Sequence, residues 1–264
     1  MRLAVLSDIH GNLTAFEAAL ADLEAQGGAD VTWFLGDLAA FGPRPVECVQ
    51  RVKALVDAVK DDDKKKHSIR VISGNTDRHL VTGSRPGEKQ PVKDADEFNT
   101  LRGQIHSINE RLLWSMDQLG FAEYEFLAKL PGETDLFAEG YGYVIGYHGT
   151  PGDDEGMGIT PTSSDEEAAD ALLDREGRMG IGGHIHVQMD RQIGAWRAIN
   201  VGSIGLAVDQ AGMAEYGIFT FENGEAQVDL RAVPFDVESV IADSQARNNP
   251  ATPMLIDRLR GKNG

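Results

Sequence analysis

The sequence has little cysteine: Cys48 is the only one in 264 residues. An internal disulfide is therefore excluded, and so is a zinc site built from several thiolates. Basic residues are also scarce, since 25 Lys and Arg face 42 Asp and Glu and give a formal net charge of −17. Long polyanions and anionic membranes are recognised by basic surfaces. We therefore expect neither a long nucleic acid nor a membrane as a partner.

Long apolar runs are missing as well. No stretch reaches the roughly 18 apolar residues of a membrane-spanning helix. The first apolar run, Leu3 to Leu6, is too short for the apolar segment of a signal peptide. Together with the single cysteine, these absences predict a cytoplasmic protein.

Hydrophobic patterning predicts alternating strands and helices in the first 75 residues. Short apolar runs at residues 3–6, 31–35 and 69–72 are typical of strands buried on both faces. Helical spacing follows the first two runs, with a capping box that begins at Thr14 and with Pro45 at the start of the second helix. This β-α-β-α-β order predicts a mostly parallel sheet.

The later patterns predict a run of antiparallel strands and, with it, a second, mixed sheet. Asn223-Gly224 is a strong hairpin signal, and the polar stretch 81–96 is typical of a loop. No internal repeat is visible, which favours one domain over residues 1–264, with a helical insertion or cap-like segment at about 81–130. Helices are predicted at 96–119, 123–130, 165–175, 237–246 and 254–260, and strands at 141–147, 179–181, 189–193, 195–200 and 216–221.

Polar residues follow five of the predicted strands. Ligands in open α/β sheets bind beyond the carboxyl ends of the strands, so we expect these side chains to meet at one edge. They include four of the 7 histidines. The set is Asp8, His10, Asp37, Asn75, His148, His184 and His186.

A mixed set of imidazole, carboxylate and amide ligands suits Mn²⁺, Fe²⁺ or Zn²⁺. Seven ligands are too many for one ion and enough for two if one carboxylate bridges. Two ions about 3.5–4 Å apart are the usual site for in-line displacement at phosphorus. Each fragment also has a structural interpretation, such as an Asx turn at Asn75 or strand residues facing opposite sides at His184 and His186. Their occurrence together favours a metal site.

These residues lie in blocks that resemble the five signature blocks of the calcineurin-like metallophosphoesterases. The blocks are Asp8-x-His10-Gly11-Asn12, Gly36-Asp37, Gly74-Asn75, His148-Gly149 and Gly183-His184-x-His186. Gly74-Asn75-Thr76-Asp77, the segment from Gly36 to Pro45 and Asn200-Val201-Gly202-Ser203 are similar to a bacterial phosphodiesterase-like subgroup.

The resemblance implies an α/β fold, a four-layer αββα sandwich of two mixed β-sheets flanked by helices. It implies one ion held by Asp8, His10, Asp37 and His186 and a second held by Asp37, Asn75, His148 and His184. Mn²⁺ is the first choice for both ions, with Fe, Zn and Ni as alternatives.

Thr76 departs from the family pattern, because many members carry a histidine there that protonates the leaving group. A threonine hydroxyl cannot act as a general acid near pH 7. His79 is a candidate substitute, although a surface position is the simpler interpretation. Arg78 is a candidate for binding a phosphate oxygen, with an ordinary ion pair as the alternative.

We therefore expect a metal-dependent phosphoesterase, most specifically a phosphodiesterase for small diesters or nucleotides that uses a metal-bound hydroxide. The candidate catalytic residues are Asp37, Asn75, Arg78 and His148. A phosphomonoesterase or protein phosphatase is the main alternative. A nuclease and a non-catalytic metal-binding scaffold fit less well, because of the negative charge and the intact ligand set.

An apolar stripe at helical spacing lies between the third and fourth blocks. The simpler prediction is that the stripe packs onto the sheet as part of the core. The more specific prediction is that it forms a cap over the metal site. Trp114 and Met116 fit either the interior or the face of a homo-oligomer. The stripe consists of Phe98, Leu101, Ile105, Ile108 and Leu112.

Overall fold

The computed structural model of the protein describes residues 1–86, 91–172 and 175–261. The strands in these ranges are β1 (Arg2–Leu6), β2 (Val31–Phe34), β3 (Ile69–Val71), β4 (Glu133–Ala138), β5 (Gly142–Tyr147), β6 (Met179–Gly182), β7 (Gln188–Ile193), β8 (Trp196–Val201), β9 (Met213–Glu222) and β10 (Glu225–Pro234). The helices are α1 (Leu13–Ala25), α2 (Pro45–Val59), α3 (Asn75–Thr82), α4 (Ala95–Gln118), α5 (Phe121–Leu127), α6 (Asp165–Leu172), α7 (Val237–Ala246) and α8 (Thr252–Leu259).

Two five-stranded sheets form the centre of the fold. The first has the order β10-β9-β1-β2-β3, in which β1, β2 and β3 run parallel and β9 runs antiparallel to β1. The second has the order β4-β5-β6-β8-β7, in which β5, β6 and β8 run parallel and both edge strands run antiparallel to their neighbours. The predicted α/β fold with two mixed sheets is confirmed.

Strand β1 shows how the layers pack, because its side chains alternate between two cores. Leu3 and Val5 lie in a core that also contains residues of the second sheet. Ala4 and Leu6 lie in another core, which they share with Phe16 of α1. Both faces of β1 are therefore buried, as its continuous apolar run predicted. A third core joins the second sheet to α6, which completes the four layers.

The strand predicted at 216–221 belongs to the first sheet, so its prediction as part of the second sheet was wrong. It is β9, which places Ile218 opposite Ala4 of β1. Asn223 and Gly224 have φ angles of 52° and 80°, and they join β9 to β10 as the left-handed residues of a tight hairpin. The hairpin prediction is thus confirmed.

Several helix boundaries differ from those predicted. Helix α1 does not begin with the capping box at Thr14; instead Asn12 caps it, since Asn12 Oδ1 accepts a hydrogen bond from Ala15 N at 3.1 Å. Asn12 Nδ2 also donates to Gly205 O at 3.2 Å, so one side chain caps the helix and ties it to a distant loop. The helix predicted at 165–175 is described to Leu172, and residues 173–174 lie outside the described residues.

The segment predicted as a loop at 81–96 separates α3 from α4. Helix α3 ends at Thr82 and α4 begins at Ala95, so the loop is confirmed for residues 83–86 and 91–94, whereas residues 81–82 and 95–96 are helical. Residues 87–90 lie outside them. Across the described ranges, no helix combines the length and the apolar character needed to cross a membrane.

The apolar stripe of α4 is divided between core and surface. Leu112 is 1% exposed and belongs to the core that covers the outer face of the first sheet, and Ile108 and Met116 pack against this core. Nearer the start of α4, Phe98 and Ile105 are 49% and 45% exposed. The prediction that the whole stripe packs as core was therefore wrong for the first half of α4.

Two adjacent leucines of α4 test this division. Leu112→Ala should lower the free energy of unfolding by about 2–5 kcal/mol, because it removes buried methyl groups and leaves a cavity. Leu113 is 42% exposed, so Leu113→Ala should change that free energy by about 0.5 kcal/mol or less. Urea unfolding followed by circular dichroism measures both, and equal losses would contradict the packing of α4.

Candidate metal centre

The polar residues that follow five strands meet at one end of the sandwich. The sequence predicted a single sheet edge, but the structure draws these residues from both sheets. Strands β1, β2 and β3 of the first sheet and β5 and β6 of the second lead into them. Hydrogen bonds join the two halves: His184 N donates to Asp8 Oδ2 at 2.9 Å, and His148 Nδ1 donates to Leu35 O at 2.7 Å. The combined set is Asp8, His10, Asp37, Asn75, His148, His184 and His186.

Much of this set has an unusual backbone conformation. Five members have φ angles between 50° and 68°, a left-handed region that costs a non-glycine residue about 1–3 kcal/mol. Only three other non-glycine residues among those described have a positive φ. Such strain persists where the surroundings impose it, and it concentrates at functional sites. The five residues are Asp8, His10, Asp37, His184 and His186.

Two glycines allow the strand ends to approach this closely. A Cβ atom at Gly74 would overlap the carboxylate of Asp37. A Cβ atom at Gly183 would overlap the side chains of Ser7 and Asp8. The glycines of the third and fifth sequence blocks are thus required by the contact between the blocks.

A first cluster of metal-binding atoms forms around Asp8. His186 Nε2 lies 3.0 Å from Asp8 Oδ1 and 3.0 Å from His10 Nε2. His10 Nε2 lies 3.6 Å from Asp8 Oδ1 and 3.6 Å from Asp37 Oδ2. The Asp8, His10 and His186 atoms lie within 4.8 Å of one another, which is close enough for one divalent ion to bind all three.

A second cluster lies beside the first. Asp8, Asp37 and His148 again offer atoms within 4.8 Å of one another. His148 Nε2 is 3.5 Å from Asp37 Oδ2, 3.0 Å from Asn75 Oδ1 and 3.3 Å from His184 Nδ1. Asp37 Oδ2 therefore lies about equally far from a histidine of each cluster, as a bridging carboxylate would.

The ring orientations of two histidines suit metal binding. The outer nitrogens, His148 Nδ1 and His186 Nδ1, bond to the carbonyl oxygens of Leu35 and Leu206 at 2.7 and 3.0 Å. Because a carbonyl accepts only, each Nδ1 carries the proton in the neutral ring. Each Nε2 then directs its lone pair toward the cluster, which is the usual arrangement of metal-binding histidines. The residues present therefore fit divalent ions.

The clusters are buried and electrostatically coupled. Burial alone would raise the pKa of the Asp8 carboxyl, but His186 and His148 hold it well below its ordinary value. Asp37 behaves in the same way, with its pKa lowered by His148 and His10. Burial would lower the pKa of His148, but Asp37 and Asp8 raise it to about 10. Burial and the charge of His148 lower the pKa of His184.

Two residues of the third block support Asp37 in ways that the sequence did not predict. Thr76 N donates to Asp37 Oδ1 at 2.9 Å. The Asp77 carboxylate accepts from Leu38 N at 2.9 Å and from Gly74 N at 3.2 Å. Asp77 therefore ties the ends of β2 and β3 together and caps α3. A Gly-x-x-Asp capping pattern at residues 74–77 was the available signal for this role.

The segment that follows β8 supports Asp8 and was also missed. Ser203 Oγ donates to Asp8 O at 2.9 Å and accepts from Leu206 N at 2.9 Å. Because Leu206 O bonds His186 Nδ1, Ser203 links the backbone of one metal-binding residue to the ring of another. The similarity of Asn200–Ser203 to a subgroup of the family marked this segment in the sequence, but it did not indicate that Ser203 supports Asp8.

Arg78 is already paired in the structure. Its Nε and one terminal nitrogen each bond to Asp154 at 2.8 Å, and the same terminal nitrogen bonds to Glu155 at 2.7 Å. Together with His148 it lines a cavity of about 330 Å³. Its contact with a phosphate oxygen stays a prediction, and that contact would have to compete with two carboxylates.

His79 is buried, so its interpretation as a surface residue was wrong. It is 1% exposed and lies one helical turn after Thr76 on the same face of α3. His79 Nδ1 is 3.0 Å from Ser84 Oγ, and His79 Nε2 is 3.5 Å from Glu155 Oε1.

A cavity of about 230 Å³ adjoins both clusters. It is lined by the candidate metal ligands His10, Asp37, Asn75, His184 and His186. It is also lined by Phe41, Thr76, His79, Pro86, Ile108 and Leu112. Because Ile108 and Leu112 belong to α4, this helix forms part of the cavity wall.

The chain is similar to known proteins in sequence and in fold. A model of the calcineurin-like phosphoesterase superfamily domain matches residues 1–224. The symmetrical bis(5′-nucleosyl)-tetraphosphatase of Klebsiella pneumoniae is 35% identical over 111 residues, which cover 38% of this chain and 36% of the relative. Its counterpart from Vibrio campbellii is 30% identical over 121 residues, which cover 46% and 40%. The matching segment thus spans less than half of either relative.

Two solved structures share the fold over nearly the whole chain. A metallophosphoesterase from Sphaerobacter thermophilus has a TM-score of 0.71 and 23% identity, and the match covers 98% of each chain. A hypothetical protein from Pyrococcus horikoshii OT3 has a TM-score of 0.75 and 21% identity, and the match covers 96% of this chain and 97% of that one.

The pKa of His148 predicts how metal binding depends on pH. Because that pKa is raised to about 10, the ring is protonated at neutral pH without metal, and a divalent ion must displace its proton. Metal affinity should therefore rise with pH, by about tenfold per unit for each proton released. Calorimetric titration with Mn²⁺ in two buffers of different ionisation enthalpy measures this release.

His106 lies on the exposed surface of α4 and provides the control. His106→Gln should leave the proton release unchanged, whereas His148→Gln should reduce it. A heat of binding that does not depend on the buffer would contradict the electrostatics of this site.

Proposed function

Because the chain belongs to the calcineurin-like phosphoesterase superfamily, we propose that it is a dinuclear-metal-dependent hydrolase of phosphoesters, and specifically a phosphodiesterase for small diesters or nucleotides. The observation that carries the proposal is the convergence of two buried carboxylates and four imidazoles on two adjoining clusters. The neighbouring cavity gives a small substrate a place beside them.

Each ion would be held by residues of one cluster. Asp8, His10 and His186 would hold the first ion, and Asn75, His148 and His184 the second, with Asp37 bridging. Mn²⁺ is the first choice, with Fe, Zn and Ni as alternatives, because this oxygen and nitrogen set suits all of them. Such ions supply Lewis acidity toward phosphoryl oxygens and acidify a bound water.

The protein's own residues fix this arrangement. Leu35 O and Leu206 O hold the rings of His148 and His186 in one tautomer, and Thr76 N holds one oxygen of Asp37. Rigid support of this kind keeps reacting groups aligned without reorganisation during the reaction. The proposed catalytic set is Asp37, Asn75 and His148, with Arg78 as a further candidate if it exchanges its carboxylate partners for a phosphate.

Thr76 favours diesters with good leaving groups. Its hydroxyl is no general acid near neutral pH, and losing such an acid costs roughly 10²–10⁴-fold, most for poor leaving groups. Aryl and nucleotide diesters have comparatively good leaving groups. The names of the curated relatives, which refer to bis(5′-nucleosyl) tetraphosphates, also support a small nucleotide.

We propose further that α4 caps the site within one domain. Ile108 and Leu112 of α4 line the cavity beside the metal clusters, so this helix would limit the size of the substrate. Assembly into a homo-oligomer through the region of Trp114 and Met116 stays a prediction.

Asp37 provides the most direct test of the metal ligands. Asp37→Asn keeps an oxygen for the hydrogen bond from Thr76 but removes the bridging charge. It should reduce the bound metal by at least one ion per chain and lower kcat at least about 10³-fold. Asp63→Asn is the control, because the Asp63 side chain is 95% exposed. Elemental analysis and turnover measure both effects, and full turnover by Asp37→Asn would refute the two-metal site.

Substrate class is tested with matched esters that share 4-nitrophenol as the leaving group. The metal-loaded protein should hydrolyse bis(4-nitrophenyl) phosphate with a higher kcat/KM than 4-nitrophenyl phosphate. A preference for the monoester would favour the alternative of a phosphomonoesterase or protein phosphatase. Hydrolysis of neither ester, with two ions bound, would favour a non-catalytic scaffold.

A further inference from the structure

Two kinds of residue line the cavity beside the metal clusters. Some present the carboxylate, amide and imidazole groups of the clusters. Others are apolar, namely Phe41, Pro86, Ile108 and Leu112, which we call the apolar wall, and Thr76 and His79 complete the lining. A bound phosphoester would therefore place its phosphoryl group and one ester group in different surroundings.

Within residues 1–86, 91–172 and 175–261, neither lysine nor arginine lines the cavity. Arg78 lines a different cavity and bonds to two carboxylates. A phosphate pressed against the apolar wall would lose its hydration without gaining a charged partner, which is costly. The wall is therefore unsuited to the additional phosphates of a polyphosphate chain.

The volume sets a limit on what the cavity can hold. An apolar cavity of roughly 150 Å³ binds one benzene molecule, whereas drug-sized ligands occupy roughly 300–1,000 Å³. A volume of about 230 Å³ thus fits one aromatic ring beside the phosphoryl group. Two nucleosides would have to extend beyond it.

The backbone of Phe41, a residue of this wall, is held by two side chains. Ser115 Oγ accepts from Phe41 N at 3.2 Å, and Asn249 Nδ2 donates to Phe41 O at 2.8 Å. The Phe41 ring lies 5.3 Å from the ring of His10. An aromatic group of the substrate that binds beside the candidate metal ligand His10 would therefore meet an aromatic ring, and aromatic pairs attract each other.

We propose that this cavity binds the uncharged aromatic ester group that stays on phosphorus when a phosphodiester is hydrolysed, an aryl or nucleobase ring, against Phe41, Ile108 and Leu112. The inference rests on the phosphodiesterase function proposed above and narrows it. Dinucleoside polyphosphates, the class in the names of the curated relatives, are then poor substrates for this chain.

Two isoleucines of α4 test the proposal. Ile108 lines the cavity, and Ile105, one turn earlier on the same helix, is 45% exposed. Phenyl 4-nitrophenyl phosphate and methyl 4-nitrophenyl phosphate share a leaving group and differ only in the second ester group. Ile108→Ser should lower kcat/KM for the phenyl ester about tenfold, as expected for lost apolar contact in a pocket. The loss for the methyl ester should be clearly smaller than the loss for the phenyl ester, and Ile105→Ser should change neither value of kcat/KM.

Two further substrates test whether a nucleobase can supply the aromatic ring and whether a polyphosphate is preferred. Thymidine 5′-(4-nitrophenyl phosphate) tests a nucleobase, and diadenosine tetraphosphate tests a polyphosphate. Equal losses for the phenyl and methyl esters in Ile108→Ser would overturn the proposal. So would a higher kcat/KM of the wild-type protein for diadenosine tetraphosphate than for the phenyl ester.

A binding measurement that does not require hydrolysis tests this inference independently of the proposed function. If the wild-type protein hydrolyses no diester, the proposed function fails. Calorimetric titration of the metal-loaded protein with phenylphosphonate and methylphosphonate then still decides the preference of the cavity. Tighter binding of phenylphosphonate, weakened by Ile108→Ser and not by Ile105→Ser, supports the apolar wall; equal binding overturns it.

Discussion

The burial of two neighbouring carboxylates, Asp8 and Asp37, is the constraint on which the structure depends. Both are at most 2% exposed, and like charges in a low-dielectric interior repel unless cations compensate them. In the protein without metal, the imidazoles around them provide this compensation, which explains why the pKa of His148 rises. Two divalent ions would compensate the carboxylates in place of the imidazoles, and their positive charge would exceed the negative charge of the two carboxylates. The overall charge of −17 is therefore compatible with a phosphate-bearing substrate.

Holding this arrangement requires support from both sheets. Five residues adopt strained left-handed backbone, and hydrogen bonds from distant segments impose it. Ser203 bonds to the backbone of Asp8, and Asp77 bonds the loops that follow β2 and β3. The bond from Ser203 to Asp8 and the bond from Leu38 to Asp77 join segments that are distant in the sequence. The geometry of the site therefore depends on tertiary contacts and not on local structure alone.

The sequence predicted those features that have a local cause. Apolar runs predicted the buried strands, Asn223-Gly224 predicted a hairpin, and polar residues at strand ends predicted the set that the structure brings together. Features that depend on distant partners left no local pattern. Strand β9 joins β1 from the far end of the chain, so its sheet could not be deduced. The burial of His79 and the carboxylate partners of Arg78 depend on the loop that contains Asp154 and Glu155.

In the proposed site two ions lie beside Asp37, one in each cluster. Anomalous diffraction from a crystal of the Mn²⁺-loaded protein would locate them. We expect two anomalous peaks about 3.5–4 Å apart, with Asp37 between them, His10 and His186 at one peak, and His148 and His184 at the other. A single peak, or peaks that do not contact Asp37, would refute the two-metal site.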